Sequence, residues 1–340
     1  MSDLSPARIL ETAMAFWPAK VLLSAAELDL FSSLADGALT GAELQQALGL
    51  HPRATPDFFD TLVALGFLDR DGDGEGGRYR NTAETARFLD RRSPAWIGGF
   101  LEMANDRLYP FWGDLTSALR TGEPQNEIKR QGAPLFDALY ADPERLEQFL
   151  SAMAGISAGN AIALADRFDF SPYRSLCDVG GASGLLALTV AARHPHLHCT
   201  TADLPAATAI AARRIAASGL AERVSAVPLD FFAQPLPKAD VITMGLILHD
   251  WNLEKKRHLI TAAYEALPPG GAFIVLEHLI DDGRRTNAFG LMMSLNMLIE
   301  NGDAFDYTGA DFSHWCLEAG FSRTDVFPLA GAASAGVAHK

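Results

Sequence analysis

The 340-residue chain predicts a mostly helical, winged-helix-like N-terminal region, residues 1–100, followed by a Rossmann-like, doubly wound parallel α/β sheet over residues 171–340. Three observations carry that reading. Short apolar stretches at helical spacing fill residues 6–100, strand-like and helix-like runs alternate from Ser175 onward, and a glycine turn joins the first of those strands to its helix.

Taken in order, Val21-Leu22-Leu23 and Leu28 to Phe31 belong to the opening helices. Thr40, with Glu43 three residues on, predicts a reciprocal capping box and a helix start at about residue 41. The next helix follows His51-Pro52, carries Phe58, Phe59, Leu62, Val63 and Leu65, and stops at Gly66. A Gly/Asp turn over 71–77 and the strand-like Arg78-Tyr79-Arg80 complete the helix, helix, hairpin outline of a winged helix. Residues 101–170 read as a helical linker, with Asp142-Pro143 placing a cap and a first-turn proline before Leu146, Phe149, Leu150 and Met153. Beyond it, strands are expected over 175–179, 197–203, 224–230, 241–248 and 272–278, with helices over 185–193, 206–218 and 254–267.

A hydrophobic content of 49% suffices for at least one sizeable core, and the length favours two domains. The formal charge of −14 repels phosphate backbones and acidic membrane surfaces, so nucleic acid and membrane partners are not expected. No apolar run reaches the roughly 20 residues that span a bilayer, and the start lacks the basic-then-apolar order of a signal peptide. A cytoplasmic location is the expectation. Cys177, Cys199 and Cys316 are too few and too irregularly spaced for a disulfide framework or a zinc knuckle and read as reduced, buried thiols. Two metal-like patterns are set aside. The acidic run 69–74 resembles the start of a calcium loop but has Arg80 where a bidentate glutamate is required, and His194, His196 and His198 straddle a helix end and a strand start, so their side chains diverge. No metal is expected.

The chemistry gathers at strand ends. Leu176 to Gly184, reading LCDVGGASG, is a buried strand opening through glycines into a helix, and Ala182 replaces the second glycine that a nicotinamide-binding G-x-G-x-x-G turn requires. By itself such a turn is a weak signal, with a purely structural turn as the alternative. The following strand ends at Asp203, where a carboxylate can accept both hydroxyls of a ribose, and the third at Asp230-Phe231-Phe232, where an acid and an aromatic face suit a purine. The fourth runs into Leu248-His249-Asp250-Trp251, which puts an imidazole at the same edge of the sheet, and the fifth ends at Glu277, a carboxylate placed to orient it. A histidine alone is more often structural. Its position beside three nucleoside-compatible strand ends is what singles it out.

These residues resemble the S-adenosylmethionine (SAM)-dependent small-molecule O-methyltransferases, the plant caffeate and hydroxyindole enzymes and their bacterial natural-product relatives. DVGGASG is similar to that family's DVGGGTG, and LHDW, LPPGG and LEAGF, residues 317–321, resemble its further motifs almost end to end. The resemblance implies that SAM is the cofactor, that Gly180, Gly181 and Gly184 face it, and that Asp203 with Leu204 holds its ribose. It implies further that Asp230 and Phe231 frame the adenine, that His249 is the base, and that Glu277 and Asp306 are its partners. Asp306 stands where the family carries a glutamate, so a longer gap to the imidazole is expected. Gly245 replaces a lysine of the plant enzymes. The N-terminal region resembles the family's dimerisation domain, which implies a homodimer. Phe149, Met153, Met297, Asn301 and Trp112 fall where the family lines its acceptor pocket, which implies a small, flat, hydroxylated acceptor. Two rival readings are a C- or N-methylating relative on the same fold and, from another class, a winged-helix regulator with a degenerate ligand domain.

Overall fold

The computed structural model describes residues 4–127, 129, 140 and 142–340, in two compact units, Met1–Pro110 and Phe111–Lys340. The residues 101–170 read as a linker are divided between them, 101–110 with the first unit and the remainder with the second.

The first unit holds helices α1 (Ala7–Met14), α2 (Phe16–Glu27), α3 (Leu30–Ser33), α4 (Gly41–Leu48), α5 (Thr55–Ala64), α6 (Ala83–Phe88) and α7 (Gly98–Met103). Strands β1 (Leu39–Thr40), β2 (Leu68–Asp71) and β3 (Arg78–Asn81) form its small sheet in the order β1-β3-β2. The Thr40 hydroxyl accepts from the Glu43 amide and the Glu43 carboxylate accepts from the Thr40 amide, so the expected capping box starts α4. Leu30, Phe31, Leu44, Phe59 and Leu62 form the core of this unit. In the wing, Arg80 pairs with Asp69 and Asp71, so the acidic run is matched by a cation from the facing strand.

The second unit contains α8 (Leu115–Thr121), α9 (Pro143–Arg167), β4 (Ser175–Val179), α10 (Leu185–Arg193), β5 (His198–Asp203), α11 (Pro205–Ala217) and β6 (Val224–Pro228). After these come β7 (Val241–Gly245), α12 (Leu253–Ala266), β8 (Ala272–Glu277), α13 (Ala288–Asn301), α14 (Gly309–Glu318), β9 (Arg323–Pro328) and β10 (Ser334–His339). The sheet order is β6-β5-β4-β7-β8-β10-β9, parallel from β6 through β8. Alternation along each strand divides its side chains between two cores. Leu176, Ala272, Ile274 and Leu276 face Leu164 of α9 and Val190 of α10, while Cys177, Val179, Phe273 and Val275 face Leu259 of α12 and Phe312 of α14. Burying one side chain such as Phe273 stabilises the fold by about 1.5–3 kcal/mol. Sequence reading did not extend past β8. There β10 inserts antiparallel between β8 and β9, and β9 is a largely exposed edge strand whose alternation carries little apolar signal.

By length and composition, Ala7–Glu27 and Leu146–Arg167 are long and apolar enough to cross a membrane, which corrects the expectation that no apolar run reaches that length. The second packs into the core through Leu146, Leu150, Ala161 and Leu164. His194 and His196 each turn a ring nitrogen to a backbone carbonyl, of Ala165 at 2.8 Å and Phe170 at 3.1 Å, but their rings meet edge to face with centres 6.0 Å apart, so these two side chains do not diverge as expected.

Candidate active site

The parallel strands deliver their ends to one edge, the usual ligand edge of an open α/β sheet. The turn after β4 begins at Gly180, whose φ of +69° lies in the left-handed region, and its amide donates to the Ala202 carbonyl at 2.8 Å. Gly181 approaches its neighbours closely: a Cβ there would stand 2.2 Å from Thr201 Oγ1 and 2.6 Å from Asp178 Oδ2. Ala182 takes φ +50° and Gly184 caps α10. Beneath the turn, burial raises the Asp178 carboxyl to about 7, offset in part by the Thr243 hydroxyl that donates to it at 2.7 Å.

Asp203, at the end of β5, reaches back to this turn. Its Oδ2 accepts from the Ala182 amide at 2.9 Å, and its Oδ1 accepts from the Leu204 amide at 2.7 Å and the Tyr140 hydroxyl at 3.4 Å. Burial raises its pKa, and those donors hold it down. Three of its roughly four lone-pair positions are thus used, the Tyr140 contact being long, which leaves acceptor capacity for a diol. Phe231 is half-buried beside Gly180. Asp230 is exposed, lies two residues past β6, and accepts from the Phe232 and Ala233 amides of its own turn. A glycine turn with a carboxylate of spare acceptor capacity behind it fits a ribose-bearing cofactor.

The strand expected to run to Leu248 stops instead at Gly245. Leu246 takes φ +53°, and residues 248–250 form one turn of 3₁₀ helix that carries His249. The imidazole is buried. Its Nδ1 faces Asp306 Oδ1 at 3.4 Å and its Nε2 faces Asp250 Oδ1 at 3.5 Å. Both distances exceed an N–H···O hydrogen bond, and the gap to Asp306 is the one expected of the shorter side chain there. Glu277 does something other than expected. Its Oε1 accepts from the Leu248 and His249 backbone amides at 3.0 and 3.4 Å, so it anchors the turn, while Asp306 is the carboxylate at the ring nitrogen. Burial alone would lower the His249 imidazole, but Asp250, Glu277 and Asp306 together outweigh it and raise it to about 10. The same enclosure raises Asp250 to about 6 and Glu277 to about 7. His249 Nδ1, Glu277 Oε2, both Asp306 oxygens and the Tyr307 hydroxyl are enclosed without a hydrogen-bond partner. His249, Glu277 and Asp306 bring ligand atoms within 4.8 Å of one another, and this is where the described residues could hold a metal ion.

Of the five positions associated with an acceptor pocket, Trp112 and Met297 lie at or on α13: Trp112 packs on Leu298 and Ile299, and Met297 is buried. Asn301 is exposed at the end of that helix. The buried amide is Asn296, whose Oδ1 accepts from Trp112 Nε1 at 2.9 Å and whose Nδ2 donates to Glu300. Phe149 packs instead beside Ala182 and Ile210, at the glycine turn, and Met153 is half-buried on α9. Sequence reasoning missed Asp250, Asn296 and the buried Lys256. Asp250 was adjacent to the histidine it had selected.

Residues 112–322 match an O-methyltransferase domain and residues 10–91 an O-methyltransferase dimerisation domain. The tetracenomycin polyketide synthesis 8-O-methyltransferase of Streptomyces glaucescens is 41% identical over 98% of this chain and 97% of its own length. An N,N-dimethyltransferase of Streptomyces rimosus is 38% identical over 92% and 90%. The crystal structure of human N-acetylserotonin methyltransferase in complex with SAM superposes with a TM-score of 0.90 at 29% identity, covering 100% of this chain and 99% of that one. The chain belongs to the SAM-dependent O-methyltransferase family and is a methyltransferase that uses SAM.

Proposed function

We propose that this methyltransferase acts on a hydroxyl oxygen of a flat, aromatic, polyketide-like small molecule, with His249 as general base, and that it works as a cytoplasmic homodimer. The observation that carries the reading is the buried His249 imidazole, set between two carboxylates at the sheet edge that bears the glycine turn. SAM supplies a methyl group on a sulfonium, whose sulfur departs as a neutral thioether. Gly180, Gly181 and Gly184 admit that ligand to the backbone, Asp203 and Leu204 position its sugar, and Asp230 with Phe231 borders its base. Trp112, Met297, Phe149, Met153 and Asn301 are the positions offered for the acceptor, and alignment of the two reactants accounts for most of the rate. His249 Nε2 takes the hydroxyl proton as the new bond forms, Asp306 and Asp250 stabilise the imidazolium, and Glu277 keeps the turn in place. A relative named for the synthesis of a polyketide supports the acceptor class. The N,N-dimethyltransferase relative favours a second reading, an amine acceptor on the same machinery.

Transfer from methyl-labelled SAM to a panel of phenolic polyketides and aryl amines decides between them. Label on oxygen is expected, with turnover unchanged by a chelator. Label on nitrogen or carbon sinks the oxygen assignment, and a loss restored by divalent cations assigns the His249 cluster to a metal.

The homodimer rests on surface that the first unit leaves uncovered. Ile9 is 71% and Trp17 60% exposed, α1 buries nothing, and Phe16, Trp17, Val21, Leu28, Phe58 and Tyr109 line a groove. So much apolar surface on one side marks an interaction site. Light scattering is expected to give twice the 36.6 kDa of one chain, and a monomer at micromolar concentration contradicts it. The three cysteines are buried and free, which suits a reducing compartment.

A further inference from the structure

Lys256 lies in the first turn of α12, between Lys255 and Arg257, yet its side chain is among the most completely buried of the described residues, at 0% exposure. Its ammonium donates to the backbone carbonyl of Trp251 and stands 3.8 Å from the centre of the Phe305 ring and 5.7 Å from that of Tyr307. The carbonyl belongs to the residue two beyond His249, and the two rings belong to the residues on either side of Asp306. One cation therefore touches both the turn that carries the imidazole and the segment that carries the carboxylate at its Nδ1. Asn252 makes a parallel tie: it caps α12 by accepting from the Lys255 amide and donates to Asp303 at 2.8 Å.

A buried ammonium is costly unless opposite charge surrounds it. Here Asp250 approaches from the 3₁₀ turn, Glu277 from β8, and Asp303 and Asp306 from the segment before α14, and all four attract it. Burial, the largest influence, lowers the ammonium to about 8, so it carries its charge at neutral pH. Lys255, next along the helix, turns instead to the Trp251 and Phe232 rings. His278, the other imidazole near His249, is itself lowered, first by burial and then by repulsion from His249.

We propose that Lys256 is a positioning residue of the transfer site, holding the His249 turn against the Asp306 segment and supplying the positive charge that balances the carboxylates around the imidazole. This inference rests on His249 being the base. It adds that the base's strength and placement are set by a cation from a neighbouring helix. Lys256→Met keeps the length of the side chain and removes both the charge and the donor. Without that charge the carboxylates act on His249 unopposed, so the imidazole holds its proton more firmly. At neutral pH, where Lys256 is charged, kcat then falls about tenfold, and the deficit closes as pH rises through the Lys256 pKa of about 8, above which wild type has lost the same charge.

The experiment compares pH–kcat profiles of wild type, Lys256→Met, Lys256→Arg and His249→Ala with a methylated acceptor, together with S-adenosylhomocysteine affinity as a check that each variant is folded. The expected result is a lowered neutral-pH kcat in Lys256→Met that converges on wild type as pH rises past the Lys256 pKa of about 8, a wild-type kcat at neutral pH in Lys256→Arg, and affinity within a few-fold throughout. If Lys256→Met cannot be obtained folded, Lys256→Arg and Lys256→Gln carry the test, the charged variant keeping the wild-type kcat at neutral pH and the neutral one lowering it. A neutral-pH kcat that is unchanged when the charge is removed, or lowered equally with arginine, overturns the role of Lys256. A limb that persists in His249→Ala overturns the base assignment instead, so the two failures are separately visible.

Discussion

Replacing His249 with alanine is expected to lower kcat about 10²- to 10⁴-fold while the affinity for SAM and S-adenosylhomocysteine stays within a few-fold, because general-base loss acts on the chemical step and not on cofactor binding. His249→Gln should behave alike, since it hydrogen-bonds without accepting the proton. The pH dependence has a definite sign. A protonated imidazole cannot act as a base, so kcat rises with pH, and because Asp250, Glu277 and Asp306 raise the His249 pKa to about 10, the rise continues well above the range of an unperturbed imidazole. That basicity is close to the roughly 10 of an ordinary phenol, which makes proton transfer between the two nearly balanced. Asp306→Asn removes one of the raising charges and should move the limb to lower pH. Near-wild-type turnover of His249→Ala at neutral pH with the true acceptor would sink the base assignment, leaving methyl transfer itself intact.

Asp203→Ala should cost SAM and S-adenosylhomocysteine about 10²-fold in affinity or more. Two effects combine. A carboxylate that accepts from a ribose diol is lost, and hydrogen bonds to a charged group are each worth about 1.5–3 kcal/mol, against 1.4 kcal/mol for a tenfold change in Kd. The Ala182 amide also loses its acceptor, which frees the glycine turn at its midpoint. Asp203→Asn keeps the shape and part of the accepting capacity and should fall between. Calorimetry with S-adenosylhomocysteine reads both variants, and an Asp203→Ala affinity within threefold of wild type contradicts the placement of the sugar.

The sheet and the edge that carries the candidate site were legible because both depend on local signals. Apolar runs such as Val241 to Met244 mark buried strands, and the glycines after Val179 mark the turn. His249 was singled out by its place after a strand. What its neighbours do was not legible, because rotamers and turns are settled by packing. Glu277 ends its strand where expected but directs its oxygen to backbone amides, since β7 stops at Gly245 and the chain turns through Leu246 to present those amides. Lys256 reads in sequence as part of a solvated basic face, Lys255-Lys256-Arg257, and only the rings of Phe305 and Tyr307, some fifty residues on, enclose it. Asn296 and Asn301 are equally plausible amides on α13 until Trp112, far away in sequence, selects the first.

The left-handed φ at Ala182 bears on how such turns diverge between relatives. A non-glycine residue in that conformation is disfavoured by about 1–2 kcal/mol, yet the methyl group is not idle: it packs with Phe149, Leu150 and Ile210 in a small cluster joining α9 to α11. What this position requires is a backbone geometry and an amide aimed at Asp203, and a glycine is only the least strained way to supply them. Where a neighbouring helix offers apolar contacts to offset the strain, the signature letter can drift to alanine while the pocket keeps its shape, and a pattern search that insists on the letter will pass over chains whose loops are conformationally equivalent.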